Sequence, residues 1–195
     1  MKLAIFGATG DTGRHVATAA LERGHEVRAF VRNPDKLEMG HDDLEVIVGD
    51  AENAEDVQRC VFGVDAIISA LGQAKGSSSR LLTRAGKNIL DAMETDDVDR
   101  FVSLVGAGVE IPGDESTLGR KFMRGLMKVL ARDVLDDAQM HAEDVMATDI
   151  DYTLVRPPRL TDGPPAGEWT AEETMKLGPS ASLTRADLAN FMVTV

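Results

Sequence analysis

An α/β fold built on one doubly wound, parallel sheet is predicted for this 195-residue chain on three observations. An apolar stretch, Lys2 to Phe6, runs straight into Gly7-Ala8-Thr9-Gly10-Asp11-Thr12-Gly13 and then into a helical pattern. From there to the end, continuous apolar strands alternate with helical segments, and such strands need a sheet covered on both faces. No repeat, low-complexity tract or linker interrupts the alternation, so one domain over residues 1–195 is expected, with a small substrate-facing region from about 156 to 195. The expected strand order is 3-2-1-4-5-6.

The first turn carries the most chemistry. Gly7 allows a tight turn after the strand, Gly10 lets backbone approach a pyrophosphate, and Gly13 lets the new helix pack close to the strand. The helix that follows (Val16, Ala19, Ala20, Leu21) offers free N–H groups and a partial positive charge at its start. Strand, turn, helix and a second strand from Glu26 to Val31 supply the context that glycine spacing alone lacks, so Gly7, Thr9, Gly10, Asp11, Thr12 and Gly13 are assigned to a dinucleotide.

The remaining elements follow in order. Strand three is expected over Leu44 to Val48, then a helix from Ala54 to Val61 with Asn53 as its N-cap. Strand four spans Val64 to Ser69, a longer helix Ser79 to Met93, and strand five Arg100 to Val105. Helical patterns run from Leu118 to Leu130 and from Val134 to Met146, before strand six at Tyr152 to Val155. A further strand is read at Glu173 to Leu177, and Thr184-Arg185-Ala186-Asp187-Leu188 opens a helix still running at Val195, so the native C-terminus is expected to lie beyond it.

Composition excludes several classes. A content of 43% hydrophobic residues can fill one core at this length. There is no apolar run of about 18 residues and no signal-peptide layout, so a cytoplasmic protein with no membrane partner is expected. A single cysteine, Cys60, excludes an internal disulfide and a cysteine-rich metal site, and no metal is assigned. Cys60 falls in the apolar phase of its helix, as a buried inert thiol would. The net charge of −12, with no clustered Lys or Arg, argues against nucleic acid. Asp outnumbers Glu by 20 to 13 and Arg outnumbers Lys by 14 to 7, a surface suited to high salt, where screening removes the self-repulsion. Stability and activity are accordingly expected to fall on dialysis into dilute buffer; full retention of both would remove the halophilic reading.

The end of strand two decides the cofactor. An acidic residue there would bind the adenine ribose hydroxyls of NAD, but the chain has Arg32, where a 2′-phosphate would sit, with Lys36 as a second cation. NADP(H) is favoured over NAD(H); the competing reading is a solvated strand-end charge, or an arginine stacked on adenine.

Taken together, Gly7 to Gly13, Val31-Arg32-Asn33-Pro34, Val48-Gly49-Asp50, Ser69-Ala70-Leu71-Gly72, Phe101-Val102-Ser103 and Tyr152-Thr153-Leu154-Val155-Arg156-Pro157-Pro158 resemble the atypical short-chain dehydrogenase/reductases. The resemblance is to their single-domain NAD(P)H-binding group, which includes flavin reductase/biliverdin IXβ reductase-like and NmrA-like proteins, and it covers nearly the whole chain. It implies a Rossmann-type domain in which Asp50 and Ala51 meet the adenine, with a helix-start aspartate as the plainer reading of Asp50. Ala70, Leu71 and Gly72 would pass under the ribose, or form an ordinary strand exit. Ser103 stands where the superfamily keeps a serine or threonine near the nicotinamide and is the catalytic candidate; a serine facing into a loop is the alternative. Pro157 would lie on a loop closing over the nicotinamide, where an X-Pro bond could be cis and Arg159 could meet an anionic group or remain a surface charge.

One departure limits the chemistry. The superfamily's Tyr-x-x-x-Lys pair is absent, and the one tyrosine, Tyr152, is expected to pack in the core. On the helix that should carry the pair, His141 and Glu143 are the acid–base candidates. Without the relay, typically worth about 10²- to 10⁴-fold, reactions needing only hydride delivery are favoured. The expected function is an NADPH-dependent reductase of a flavin-like, quinone or other planar conjugated small-molecule acceptor. The alternative is a non-catalytic NAD(P)-binding redox sensor of the NmrA-like type. A sugar-nucleotide epimerase is disfavoured, since it needs the tyrosine and a larger C-terminal substrate domain. Oligomeric state is not readable; the Met-rich segment Phe122 to Met127 fits a core helix or an interface.

Overall fold

A computed structural model describes residues 1–73, 77–114, 131–173, 178 and 180–195. Six parallel strands form the main sheet: β1 (Lys2–Phe6), β2 (Glu26–Val31), β3 (Leu44–Val48), β4 (Ala66–Ser69), β5 (Arg100–Leu104) and β6 (Asp151–Val155). Their order is β3-β2-β1-β4-β5-β6, as expected from the alternation of strand and helix. The helices are α1 (Asp11–Glu22), α2 (Ala54–Val61), α3 (Leu81–Asp96), α4 (Arg132–Met146) and α5 (Arg185–Thr194).

Two apolar layers follow from strand alternation. Leu3, Ile5, Val102 and Val155 face α1 and α5, meeting Val16, Ala20, Leu188 and Met192. Ala4, Phe6, Ile67 and Phe101 face the other way, onto Val57, Ala85, Ile89 and Val145 of α2, α3 and α4. The sheet is therefore covered on both sides over its centre, and the thin edge is β3, where Val46 and Val48 remain exposed.

Helix starts are fixed by different devices. Asn53 caps α2 as expected, its side chain accepting from the Glu55 and Asp56 amides at 2.9 and 3.2 Å. Helix α3 has no local cap; Asp137 of α4 supplies one from across the helix pair, accepting from the Leu82 and Thr83 amides at 2.9 Å each. Helix α5 begins as expected at Thr184, whose hydroxyl accepts from the Asp187 amide at 3.0 Å.

Some expectations need correction. A two-stranded parallel sheet, β7 (Arg159–Thr161) with β8 (Ser182–Thr184), was not anticipated, since three-residue strands carry no readable period. The strand expected at 173–177 lies outside the described residues except for Glu173, which is in a bend; the helix and Met-rich segment expected within 118–130 lie outside them too. Tyr152 is 37% exposed rather than packed in the core, because β6 is an edge strand and its outward face is not covered. No cis peptide occurs among the described residues, so Pro157, Pro158, Pro164 and Pro165 are trans. No helix among the described residues is long and apolar enough to cross a membrane.

Candidate functional site

All the motifs lie along one edge of the sheet, because parallel strands bring every C-terminal end to the same side. In strand order, Asp50 follows β3, Arg32 follows β2, Gly7 follows β1, Ala70 follows β4, Ser103 lies near the end of β5, and Pro157 follows β6. The turn after β1 has the shape read from its glycines. Gly7 has φ +83°, and a Cβ there would lie 2.7 Å from the Ala70 carbonyl oxygen, so the β1 and β4 exits touch through bare backbone. A Cβ on Gly13 would lie 2.0 Å from the Gly7 carbonyl oxygen. Gly10 closes the turn, its amide donating to the Gly7 carbonyl at 2.9 Å.

Gly10 is also the N-cap of α1, and no side chain caps that helix. Its first amides are left for an anion on a helix whose dipole favours one. These features fit a pyrophosphate: close backbone approach, no intruding Cβ and an uncapped helix start. Thr12 is buried beside the turn, and the exposed Asp11 carboxylate is engaged by Arg14 at 3.1 Å.

The adenosine end is polar. Arg32 is exposed, with no partner for its guanidinium among the described residues. Asp50 is exposed as well; one carboxylate oxygen accepts from the Glu52 amide at 3.0 Å, the turn contact of the plainer reading. Ala51 is buried, and its carbonyl accepts from Asn88 at 2.9 Å, which ties the β3 exit to α3. Ala70 and Leu71 are half-buried and Gly72 is exposed, so this segment presents backbone.

At the β5 end, strand alternation points Ser103 toward α3 and α4, where its Oγ lies 2.8 Å from His141 Nε2. Both residues are buried, Ser103 at 1% and His141 at 3% exposure. Desolvation pushes the imidazole down to about 4, against a smaller opposing pull from the Asp137 carboxylate one helical turn away. The ring is therefore neutral at pH 7. Nδ1 has no partner and faces Gly86, where even a Cβ would come within 2.2 Å. A buried orphan N–H costs about 1–3 kcal/mol, whereas a bare lone pair against a Cα–H costs less, which puts the proton on Nε2. His141 then donates to Ser103, and the serine proton is free to point elsewhere. The Phe101 ring holds the imidazole edge-on at 6.3 Å between centroids.

Behind this pair, Asp137 is fully buried and accepts from Thr83 Oγ1 at 2.6 Å and Gln73 Nε2 at 3.1 Å, besides the two α3 amides. Burial raises its pKa, but the bonds from Thr83, Leu82 and Gln73 outweigh that and hold the carboxyl below the usual carboxylate range. Glu143, the other acid–base candidate on this helix, faces solvent and accepts from Gln139 at 2.9 Å, away from Ser103. Arg156 forms a two-pronged pair with Asp114 at 2.7 and 2.9 Å, joining the loops that leave β5 and β6. Cys60 is buried as expected, its thiol pushed up to about 12 by desolvation.

Sequence reasoning named Ser103 and His141 as candidates without foreseeing their contact, and it missed Asp137 and Gly86. The signal was present. His141 shares the apolar phase of Ala138, Ala142 and Val145, and a glycine inside α3 implies something large opposite it.

A glycine-lined turn at the switch between β1 and β4, with an uncapped helix behind it, defines a nicotinamide-dinucleotide-binding domain of Rossmann type. The chain belongs to the NAD(P)H-binding family, whose model matches residues 7–195. It is 31% identical over 178 residues to YwnB of Bacillus subtilis, covering 87% of this chain and 76% of that protein. It is 35% identical over 134 residues to a 3-beta-hydroxysteroid dehydrogenase of Mycolicibacterium neoaurum, a match that covers 60% of this chain and only 36% of that enzyme. Among solved structures, ChuY, an anaerobillin reductase from Escherichia coli O157:H7, superposes with a TM-score of 0.80 at 21% identity, over 98% of this chain and 88% of that one.

Proposed function

We propose that this chain is an NADPH-dependent reductase that delivers hydride to a planar conjugated acceptor, such as a flavin or a quinone, without a tyrosine–lysine relay. One observation carries the reading. The only tyrosine, Tyr152, stands exposed on the edge strand, and the residue four positions on, Arg156, is held by Asp114. Ordinary carbonyl–alcohol chemistry would lack its proton donor, whereas reduction of a conjugated acceptor can draw that proton from solvent.

NADPH, where bound, would supply the hydride that, with one proton from water, reduces an oxidised flavin to its dihydro form and leaves NADP⁺. The chain's residues bind and orient. The turn from Gly7 to Gly13, with Thr9, Asp11 and Thr12, would hold the pyrophosphate, and Arg32 the 2′-phosphate. Asp50 and Ala51 would bind the adenine, Ala70 to Gly72 the ribose, and Pro157 the nicotinamide end. Ser103, fixed by His141, turns its hydroxyl proton toward the carboxamide or an acceptor oxygen. A cytoplasmic location belongs to the same proposal. ChuY, an anaerobillin reductase, has the same fold, which supports the reductase reading.

The test is titration with NADPH and NADH by nicotinamide fluorescence, followed by NADPH oxidation with flavins and quinones. NADPH is expected to bind more tightly, and Arg32→Ala to weaken it roughly tenfold or more while leaving NADH unchanged, as loss of a charge-assisted phosphate contact does. Equal effects on both cofactors would overturn the assignment of Arg32. Binding without oxidation by any acceptor would favour the redox-sensor alternative.

A further inference from the structure

The buried carboxylate of Asp137 divides its bonds between two parts of the chain. Oδ1 accepts from the Thr83 amide at 2.9 Å and the Thr83 hydroxyl at 2.6 Å, and Oδ2 accepts from the Leu82 amide at 2.9 Å, all at the start of α3. A further bond to Oδ2 comes from outside the helix pair: Gln73, on the chain that leaves β4, donates from Nε2 at 3.1 Å. The same Nε2 donates to the Ser79 carbonyl at 3.1 Å. Both partners only accept, so the amide sits with its nitrogen toward them; turned over, its oxygen would face a carboxylate and a carbonyl. Gln73 is thus a half-buried, doubly tethered side chain and not a solvated one.

What it fixes is the downstream part of the β4 exit. The upstream part belongs to the turn after β1, since the Ala70 amide donates to the Phe6 carbonyl at 2.9 Å and the Ala70 carbonyl lies against Gly7. Leu71 then packs against the cluster that holds Leu82, Val105, Ala138 and Ala142. Gly72 is exposed, and a Cβ on it would meet nothing within 4 Å, so the bond from Gln73 to α4 sets where this backbone lies.

Two neighbouring strands are thereby tied to one helix. Ser69 and Ser103 are register partners, so the β4 exit leaves the sheet beside Ser103. Ser103 is held at 2.8 Å by His141, one turn along α4 from Asp137. The spacing between the β4-exit backbone and the Ser103 hydroxyl therefore depends on both links to α4. Hydride transfer is sensitive to such spacing, a misplacement of about 1 Å costing about 10²-fold.

We propose that Gln73 is a positioning residue for the nicotinamide end of the cofactor: through Asp137 it fixes the β4 exit against Ser103, so that an intact dinucleotide meets both at once. The inference rests on the cofactor half of the reductase reading and adds a residue to it. Gln73→Met keeps the length and removes the donors. It should weaken NADPH binding roughly tenfold, read by nicotinamide fluorescence, while adenosine 2′,5′-bisphosphate, which carries the adenosine half alone, binds within about twofold of wild type by calorimetry. Gln73→Lys, which restores a donor with the reach to Asp137, should recover most of the lost NADPH affinity. Thr83→Val removes the other side-chain bond to Asp137 without touching the β4 exit; it should lower the melting temperature and leave the ratio of the two affinities unchanged. Equal weakening of both ligands in Gln73→Met, or the same change of ratio in Thr83→Val, reduces Gln73 to a structural strut and overturns the proposal. If Gln73→Met binds NADPH and oxidises it with wild-type kcat/KM, the positioning role fails and the reductase reading stands. If the ratio shifts as stated but no flavin or quinone oxidises NADPH in the wild-type protein, the positioning role stands and the reductase reading fails.

Discussion

Gly13→Ala is expected to abolish measurable nicotinamide-cofactor binding and to lower the melting temperature by about 10 °C. The added Cβ would lie 2.0 Å from the Gly7 carbonyl oxygen and 2.6 Å from its carbon, and backbone cannot step aside as a flexible side chain can. That same carbonyl accepts the Gly10 amide, so relieving the clash opens the turn proposed to hold the phosphates. Overpacking of this kind costs about 3 kcal/mol, and each kcal/mol moves a domain of this size by about 2–4 °C. Gly40→Ala, where no atom lies within 4 Å, is the matched control and should leave both readings unchanged. A Gly13→Ala protein that melts within about 2 °C of wild type and still binds NADPH would show that α1 can back away from β1.

Acidification should destabilise the fold well before carboxylates titrate. His141 is depressed from 6.5 to about 4 in the folded protein, so between those values the unfolded chain takes up a proton that the folded chain refuses. Stability is therefore complete above pH 6.5 and falls by about 3 kcal/mol on the way to pH 4. His25, lowered first by partial burial and then by the N-terminal ammonium and Arg23, adds a slope of the same sign. Asp137 acts lower down: its pKa is depressed, so its contribution is present above the unfolded value near 3.8 and is lost as pH falls through the folded one. Urea denaturation at pH 7, 5.5 and 4 on wild type and His141→Asn separates these terms. The variant should lose most of the slope above pH 4; an identical slope would mean that the folded protein protonates His141 without cost.

The sheet order and the dinucleotide turn were legible in the residues because both rest on local signals. Leu3–Phe6 is an unbroken apolar run and Val27–Val31 is interrupted only by Arg28, and glycine is the only residue that fits at Gly7 and Gly13. The Ser103–His141 contact was not, since it joins residues 38 apart across two packed elements and depends on which face α4 turns inward. The Asp137 cap on α3 hid for the same reason: helix starts are read from the preceding residue, and here the cap comes from another helix. Tyr152 was misplaced because a strand pattern does not say whether its strand lies at an edge. Arg32 and Asp50 were placed by their position after strands whose ends were correctly read.

Cys60 has a practical corollary for following motion in solution. A sealed thiol titrating near 12 is almost entirely protonated at pH 7–8, and the protonated form does not attack maleimides or disulfide reagents. The native chain is thus already a silent background for site-specific labelling. A cysteine introduced beside Trp169 and another near Arg32 could carry a dye pair without first removing Cys60, making the distance between those two points a direct optical observable.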